Sequence, residues 1–167
     1  DSSALPKLAL AVELLDTRHD KYMRLLAELD ASRELEPAAA IELCGRCSTR
    51  ADALEHFAVG AKARLLEIDA HLRSNDHAAA AGAAASLWPT LGACRPGDMY
   101  WPEALWILHR AFEAGGDLGT SQTVLIQAAQ WIEQAALPHV PAAFCDAFLH
   151  RNATNRAVLA RARNPHP

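Results

Sequence analysis

Apolar residues in this chain return every three or four positions, and the stretches in which they do so are cut at short intervals by turn chemistry. No other feature of the sequence restricts the fold as much. A three-to-four spacing puts an apolar stripe on one side of a helix, and short breaks join successive helices into hairpins. Leu8, Val12, Leu15, His19, Tyr22, Leu25, Leu26 and Leu29 make the first stripe, predicting a helix over about 4–30. Asp30-Ala31-Ser32 breaks it, and Pro37 suits the first turn of a second helix containing Ile41, Leu43 and Cys44. Thr49-Arg50-Ala51-Asp52 resembles a capping box, with Asp in place of the usual Glu. It predicts a third helix carrying Leu54, Phe57, Ala61, Leu65, Ile68 and Leu72, the alternative being that Ser48 and Thr49 lie inside one longer helix.

The pattern continues. Ser74-Asn75-Asp76 is a turn, and the alanine-rich stretch to Leu91 is a fourth helix ending on Leu87 and Trp88. Gly92-Ala93-Cys94-Arg95-Pro96-Gly97-Asp98 is the clearest loop. A fifth helix starts near Trp101, with Pro102 in its first turn, and ends at Ala114 before Gly115-Gly116-Asp117. A sixth covers about 119–136, and the terminal block supplies a seventh and an eighth. Alanine, the best helix former, supplies much of the 51% hydrophobic content, and runs of Val, Ile and Thr are absent. The expectation is an all-α chain of about eight helices stacked as antiparallel hairpins. At 167 residues it reads as one helical-repeat domain over 1–167. Leu72, Asn75-Asp76 and Trp88 are echoed about 40 residues on by Phe112, Gly116-Asp117 and Trp131, within the range of helix–turn–helix repeats. Asp1 stands without a preceding methionine or a basic-then-apolar leader, so the chain reads as a fragment of a longer cytoplasmic polypeptide.

The chemistry-bearing patterns are few. A net charge of −4 argues against nucleic-acid binding, and the longest uncharged run, mostly alanine, is too weakly apolar to span a bilayer. Cys44-Gly45-Arg46-Cys47 has the spacing of a redox pair or half a zinc site, but no strand precedes it and no second ligand pair exists; His56 and Cys94 are the remaining zinc candidates. Small core residues between helices is the preferred reading of the pair. The eight histidines do not cluster, and no phosphate-loop, dinucleotide or nucleophile-elbow motif occurs. Tyr100, Trp101 and Trp106 follow the proline–glycine loop as an aromatic group suited to core packing or to an interface edge. No Asp or Glu follows Asp146, whereas Arg151, Arg156, Arg161 and Arg163 do. Cations near the C-terminus of a final helix are favoured by its dipole; the alternative is a contact surface for an anionic partner.

Two resemblances refine this reading. Counted back from Gly116, Leu105, Leu108 and Phe112 occupy the bulky positions of the first tetratricopeptide helix. Ser121, Leu125 and Ala128 occupy small, large and small positions of the second, while His109 replaces a small residue and Glu133 a proline. The block Leu137-Pro138-His139-Val140-Pro141, Phe144, Phe148-Leu149, Arg151-Asn152, Asn155-Arg156 and Leu159 resembles the closing segment of helical-repeat regions in large bacterial signalling proteins and transcriptional regulators, with Ala153-Thr154 where that segment has Pro-Val. The resemblance implies a tetratricopeptide-like right-handed superhelix without catalysis. It also implies a regulatory role, binding a protein or a neighbouring domain of the same polypeptide. Within the block, Asn152 is expected to cap the last helix, Phe144 and Phe148 to share one face, and Arg151 and Arg156 to reach carbonyls or carboxylates of the preceding helix.

The expected function is therefore groove recognition by a non-enzymatic domain that needs no cofactor or metal. Tyr100, Trp101, Trp106, Arg151 and Arg156 are the candidate partner-binding residues. The alternatives are a redox- or metal-responsive module built on Cys44 and Cys47, and a small-molecule sensor with a pocket between hairpins.

Overall fold

The computed structural model describes Leu10 and residues 20–92, 95–96 and 98–164. Among these residues every regular element is helical and no strand occurs, as the sequence pattern requires. No described helix is long and apolar enough to cross a membrane. Leu8, Val12, Leu15, His19 and Cys94 lie outside the described residues. The chain divides into two compact units, Asp1–Asp98 and Met99–Pro167. The boundary falls at the proline–glycine loop.

The first unit contains α1 (Lys21–Ser32), α2 (Pro37–Ala53), α3 (Phe57–Arg73) and α4 (His77–Leu91). Helix α3 is its centre, packing on each of the other three. Val59, Ala63, Leu65, Leu66, Ile68, Ala70 and Leu72 are all buried, so α3 is apolar around most of its girth. Its neighbours approach closely because they offer alanine at the contact: Ala40, Ala51, Ala80 and Ala84 are fully buried.

The second unit contains α5 (Trp101–Ala114), α6 (Leu118–Gln130) and α7 (Ala153–Arg163), with α5, α6 and α7 each packing on the other two. Helix α6 runs on into a π-helical turn, Trp131–Ala136. Its core is Ala104, Leu105, Leu108, Val124, Leu125, Ala128, Ile132, Val158 and Leu159.

One turn design recurs. Helices α2, α3 and α5 each end on a left-handed residue, Glu55 (φ 56°), Asn75 (φ 59°) and Gly116 (φ 82°). In each turn the amide of the next residue reaches back five positions, from His56 to the Ala51 carbonyl (2.8 Å), Asp76 to His71 (2.9 Å) and Asp117 to Phe112 (2.9 Å). This is the Schellman arrangement, which satisfies carbonyls a helix end leaves open. Asp76 and Asp117 then cap the following helices by accepting from the Ala79 and Thr120 amides at 3.1 and 3.0 Å. The turns thus repeat at 75 and 116. Trp88 follows Asn75 by 13 residues and Trp131 follows Gly116 by 15, so the tryptophans stand at different places after the two turns.

Three further expectations are corrected. Thr49–Asp52 is not a helix start but the interior of α2, where Thr49 Oγ1 donates to the Gly45 carbonyl at 3.0 Å; the break comes at residues 54–56, through the left-handed Glu55. Phe57, expected inside the third helix, is its first residue instead and is 63% exposed. The seventh helix is not one regular helix. Pro138 and Pro141 remove donors, and residues 137–151 become two 3₁₀ turns (Leu137–His139, Ala142–Phe144) and a π-helical turn (Ala147–Arg151). Phe144 is exposed and Phe148 is half-buried.

Candidate functional site

The first unit holds a groove among α2, α3 and α4, of about 800 Å³. Ser48 and Asp52 come from α2, Phe57, Ala61, Arg64 and Glu67 from α3, and Ala83, Ser86, Leu87 and Thr90 from α4. Within each helix these residues stand three or four apart, so each contributes one continuous face. Its lining includes the small residues Ala61, Ala83 and Ser86.

An ion pair between Asp52 and Arg64 ties α2 to α3 along this groove. Gly60 makes room for it: a Cβ there would lie 3.0 Å from Arg64 Nη1 and 3.0 Å from Asp52 Oδ1. Glu67 adds a second carboxylate against the one guanidinium, so the lining carries a net negative charge. Ser86 Oγ donates to the Gly82 carbonyl at 3.1 Å, and Thr90 Oγ1 to that of Leu87 at 2.8 Å. Both hydroxyls are committed to backbone, and the lining includes no histidine or cysteine.

The aromatic and arginine candidates lie in the second unit, and the structure separates them. Trp101 lines a shallow cleft with Trp131. Tyr100 stands behind it, meeting the Trp131 ring edge-on at 5.5 Å and donating its hydroxyl to Asn155 Oδ1 at 2.8 Å. Burial pushes the Tyr100 phenol up, and the bond to Asn155 partly offsets this. Asn155 is fully buried; its amide donates to the Phe148 carbonyl at 2.8 Å, and its backbone N–H to Asn152 Oδ1 at 3.0 Å. Asn152 is therefore the expected helix cap. Trp106 instead packs on His109, ring centroids 5.1 Å apart. Arg151 is exposed, 3.9 Å from Asp146, and Arg156 is also exposed. Neither arginine lines the cleft. Arg161 pairs with Glu113 of α5 and so fastens α7 to the unit.

His109, the departure from the tetratricopeptide pattern, is accommodated by its neighbour. Ser121 Oγ lies 2.7 Å from His109 Nδ1 and 3.1 Å from the His109 carbonyl oxygen, with both residues buried. A polar contact between helices replaces contact between two small side chains.

Cys44 and Cys47 are both free and fully buried in α2. Cys44 donates to Ser32 Oγ and Cys47 to Glu28 Oε2, each at 3.4 Å. Glu28 is itself held by Arg24 and Arg50 at 2.8 Å each. Burial raises the Cys44 thiol, while burial and the adjacent Glu28 carboxylate push Cys47 up to about 12. Reactive cysteines need a lowered pKa and access; this pair has neither. His56 stacks edge-on against Tyr22 at 5.2 Å, and no group of three metal-ligating residues occurs among the described residues. Sequence reasoning missed the groove because it opened the third helix at Thr49–Asp52 and so did not place Phe57 at a helix start. The available signal was Phe57 directly after a helix break, with Ala61 and Arg64 in line.

No protein-family model, curated protein or solved structure matches the chain.

Proposed function

We propose that this chain is a non-catalytic protein-interaction module whose α2–α4 groove receives a helical segment of a protein partner. The observation that carries the reading is the groove itself, about 800 Å³ with Phe57 exposed at its edge. An amphipathic helix laid in a groove uses apolar anchors three or four residues apart, which suits Phe57, Ala61 and Leu87. The excess carboxylate at Glu67 selects a segment with a lysine or arginine beside its anchors and disfavours an acidic one. The recurring Schellman turns and the His109–Ser121 contact support tetratricopeptide-like hairpins. With the terminal block's resemblance, they favour the regulatory part of a larger cytoplasmic bacterial signalling or transcription-regulating protein.

The test is a selection of displayed 15-residue peptides on the full chain. Enrichment of sequences pairing a large apolar residue with Lys or Arg at three or four positions is expected. Their binding is expected to fall about tenfold in Phe57→Ser and in Glu67→Lys, both near the surface. Enriched peptides that bind these variants unchanged would refute the reading.

A further inference from the structure

The stretch that precedes α1 carries the same pattern the α2–α4 groove asks of a partner. Leu8, Val12 and Leu15 stand four and three apart, and Lys7 lies beside the first of them. That is a stripe of large apolar anchors with a cation at one end. The place where this stretch joins α1 is equally telling. Asp20 caps the helix, accepting from the Met23 amide at 3.0 Å. Two residues on, Tyr22 meets His56 edge-on at 5.2 Å. His56 is followed directly by Phe57, the exposed aromatic that lines the groove. The stretch therefore enters α1 beside the Phe57 end of the groove.

We infer that residues 7–15 of this same chain occupy the α2–α4 groove as an autoinhibitory helix, which a partner has to displace. The inference rests on the groove being the protein-binding site proposed above, and it adds how that site is regulated.

Length and charge both support this occupant. Residues 16–19 can bridge up to about 14 Å between Asp20 and the first anchor, Leu15. From Leu15 back to Lys7 is eight residues, about 12 Å of helix, and from Phe57 to Glu67 is ten residues of α3, about 15 Å. A segment that enters with Leu15 at Phe57 and runs along α3 brings Lys7 to the Glu67 end. Glu67 is the carboxylate that gives the lining its surplus negative charge, so the one cation at the tip of the stripe meets the one acid left over in the groove.

Tethering makes even weak docking effective. A segment on a short linker acts at an effective concentration of about 1 mM. Anchors with an intrinsic Kd of about 0.1 mM then keep the groove filled about nine-tenths of the time, which weakens an outside helix about tenfold.

The test places benzoylphenylalanine at Val12 of the full chain, irradiates it at two dilutions and maps the cross-links by mass spectrometry. Cross-links within one molecule to residues 57–67 or 83–90 are expected, with a yield independent of dilution. Lys7→Glu should cut that yield about fivefold, and Glu67→Lys in the same chain should restore it. Leu8→Asp/Leu15→Asp should tighten binding of a selected groove peptide about tenfold. Lys7→Glu changes no apolar residue and should leave the circular dichroism spectrum unaltered, so it serves where the double variant misfolds. The inference is overturned by cross-links confined to other residues or formed only between molecules, or by a yield indifferent to Lys7→Glu. It is also overturned, with the partner reading left standing, if peptides sensitive to Phe57→Ser bind equally well whether or not the segment's anchors are intact. Peptides indifferent to Phe57→Ser would refute the partner reading itself, whatever the cross-links show.

Discussion

Asn155→Ala is expected to loosen the second unit by about 2–4 kcal/mol. The side chain is fully buried and makes two bonds, accepting from Tyr100 and donating to the Phe148 carbonyl, each at 2.8 Å. A hydrogen bond contributes about 1 kcal/mol net, and a buried group left without its partner costs about 1–3 kcal/mol. The cap is retained, because it uses the backbone N–H of residue 155. Native-state hydrogen exchange at the buried Val158 and Leu159 amides of α7 reads the loss directly. Exchange there should accelerate roughly 30- to 1,000-fold. Tyr100→Phe alone should cost about 1 kcal/mol, and the double variant should fall short of additivity by about 1 kcal/mol, since both remove one bond. Acceleration below about threefold, or strict additivity, would refute the assignment of Asn155 as the hub of this unit.

The remaining predictions concern the thiols, the turns and the polar helix contact. Cys47 keeps its proton in the folded state up to about pH 12, whereas the unfolded thiol loses it near 9.0. Stability is therefore unaffected by this group below about 9 and falls as pH rises through that window, where the unfolded chain binds fewer protons; urea titrations should show a smaller alkaline decline in Cys47→Ala. In thiol labelling at pH 8, Cys145 should react before the other two described thiols, Cys44 and Cys47, which should react only on unfolding. Gly116→Ala should cost about 1 kcal/mol by φ alone, since nothing lies within 4 Å of its added Cβ, whereas Glu55→Gly should raise the melting temperature. Ser121→Val leaves His109 Nδ1 without its hydroxyl and should cost about 1–3 kcal/mol in urea unfolding.

Helix starts and stops were legible where one residue type enforces them. Pro37 and Pro102 at first turns and the turn residues Asn75-Asp76 and Gly116-Asp117 all act locally; the Asp76 and Asp117 caps and the positive φ of Gly116 emerged from the structure. The break at residues 54–56 was hidden because Glu55 adopts a positive φ that its side chain does not advertise. Thr49 misled for the converse reason: its hydroxyl can cap a helix or bond back within one. Exposure at Phe57 follows from its place as the first residue of α3, which depends on locating the break at residues 54–56. Within the aromatic group, spacing alone could not separate Trp101 in a cleft from Tyr100 behind it and Trp106 against His109. That separation depends on partners 31 and 55 residues from Tyr100, Trp131 and Asn155.

The groove's charge preference is best tested by calorimetry on a matched pair of selected helical peptides, one with lysine and its twin with glutamate, each titrated into the unaltered chain and into Glu67→Lys. The account predicts that the lysine peptide binds more tightly to the unaltered chain and that the order reverses in the variant. The same order in both proteins would contradict it.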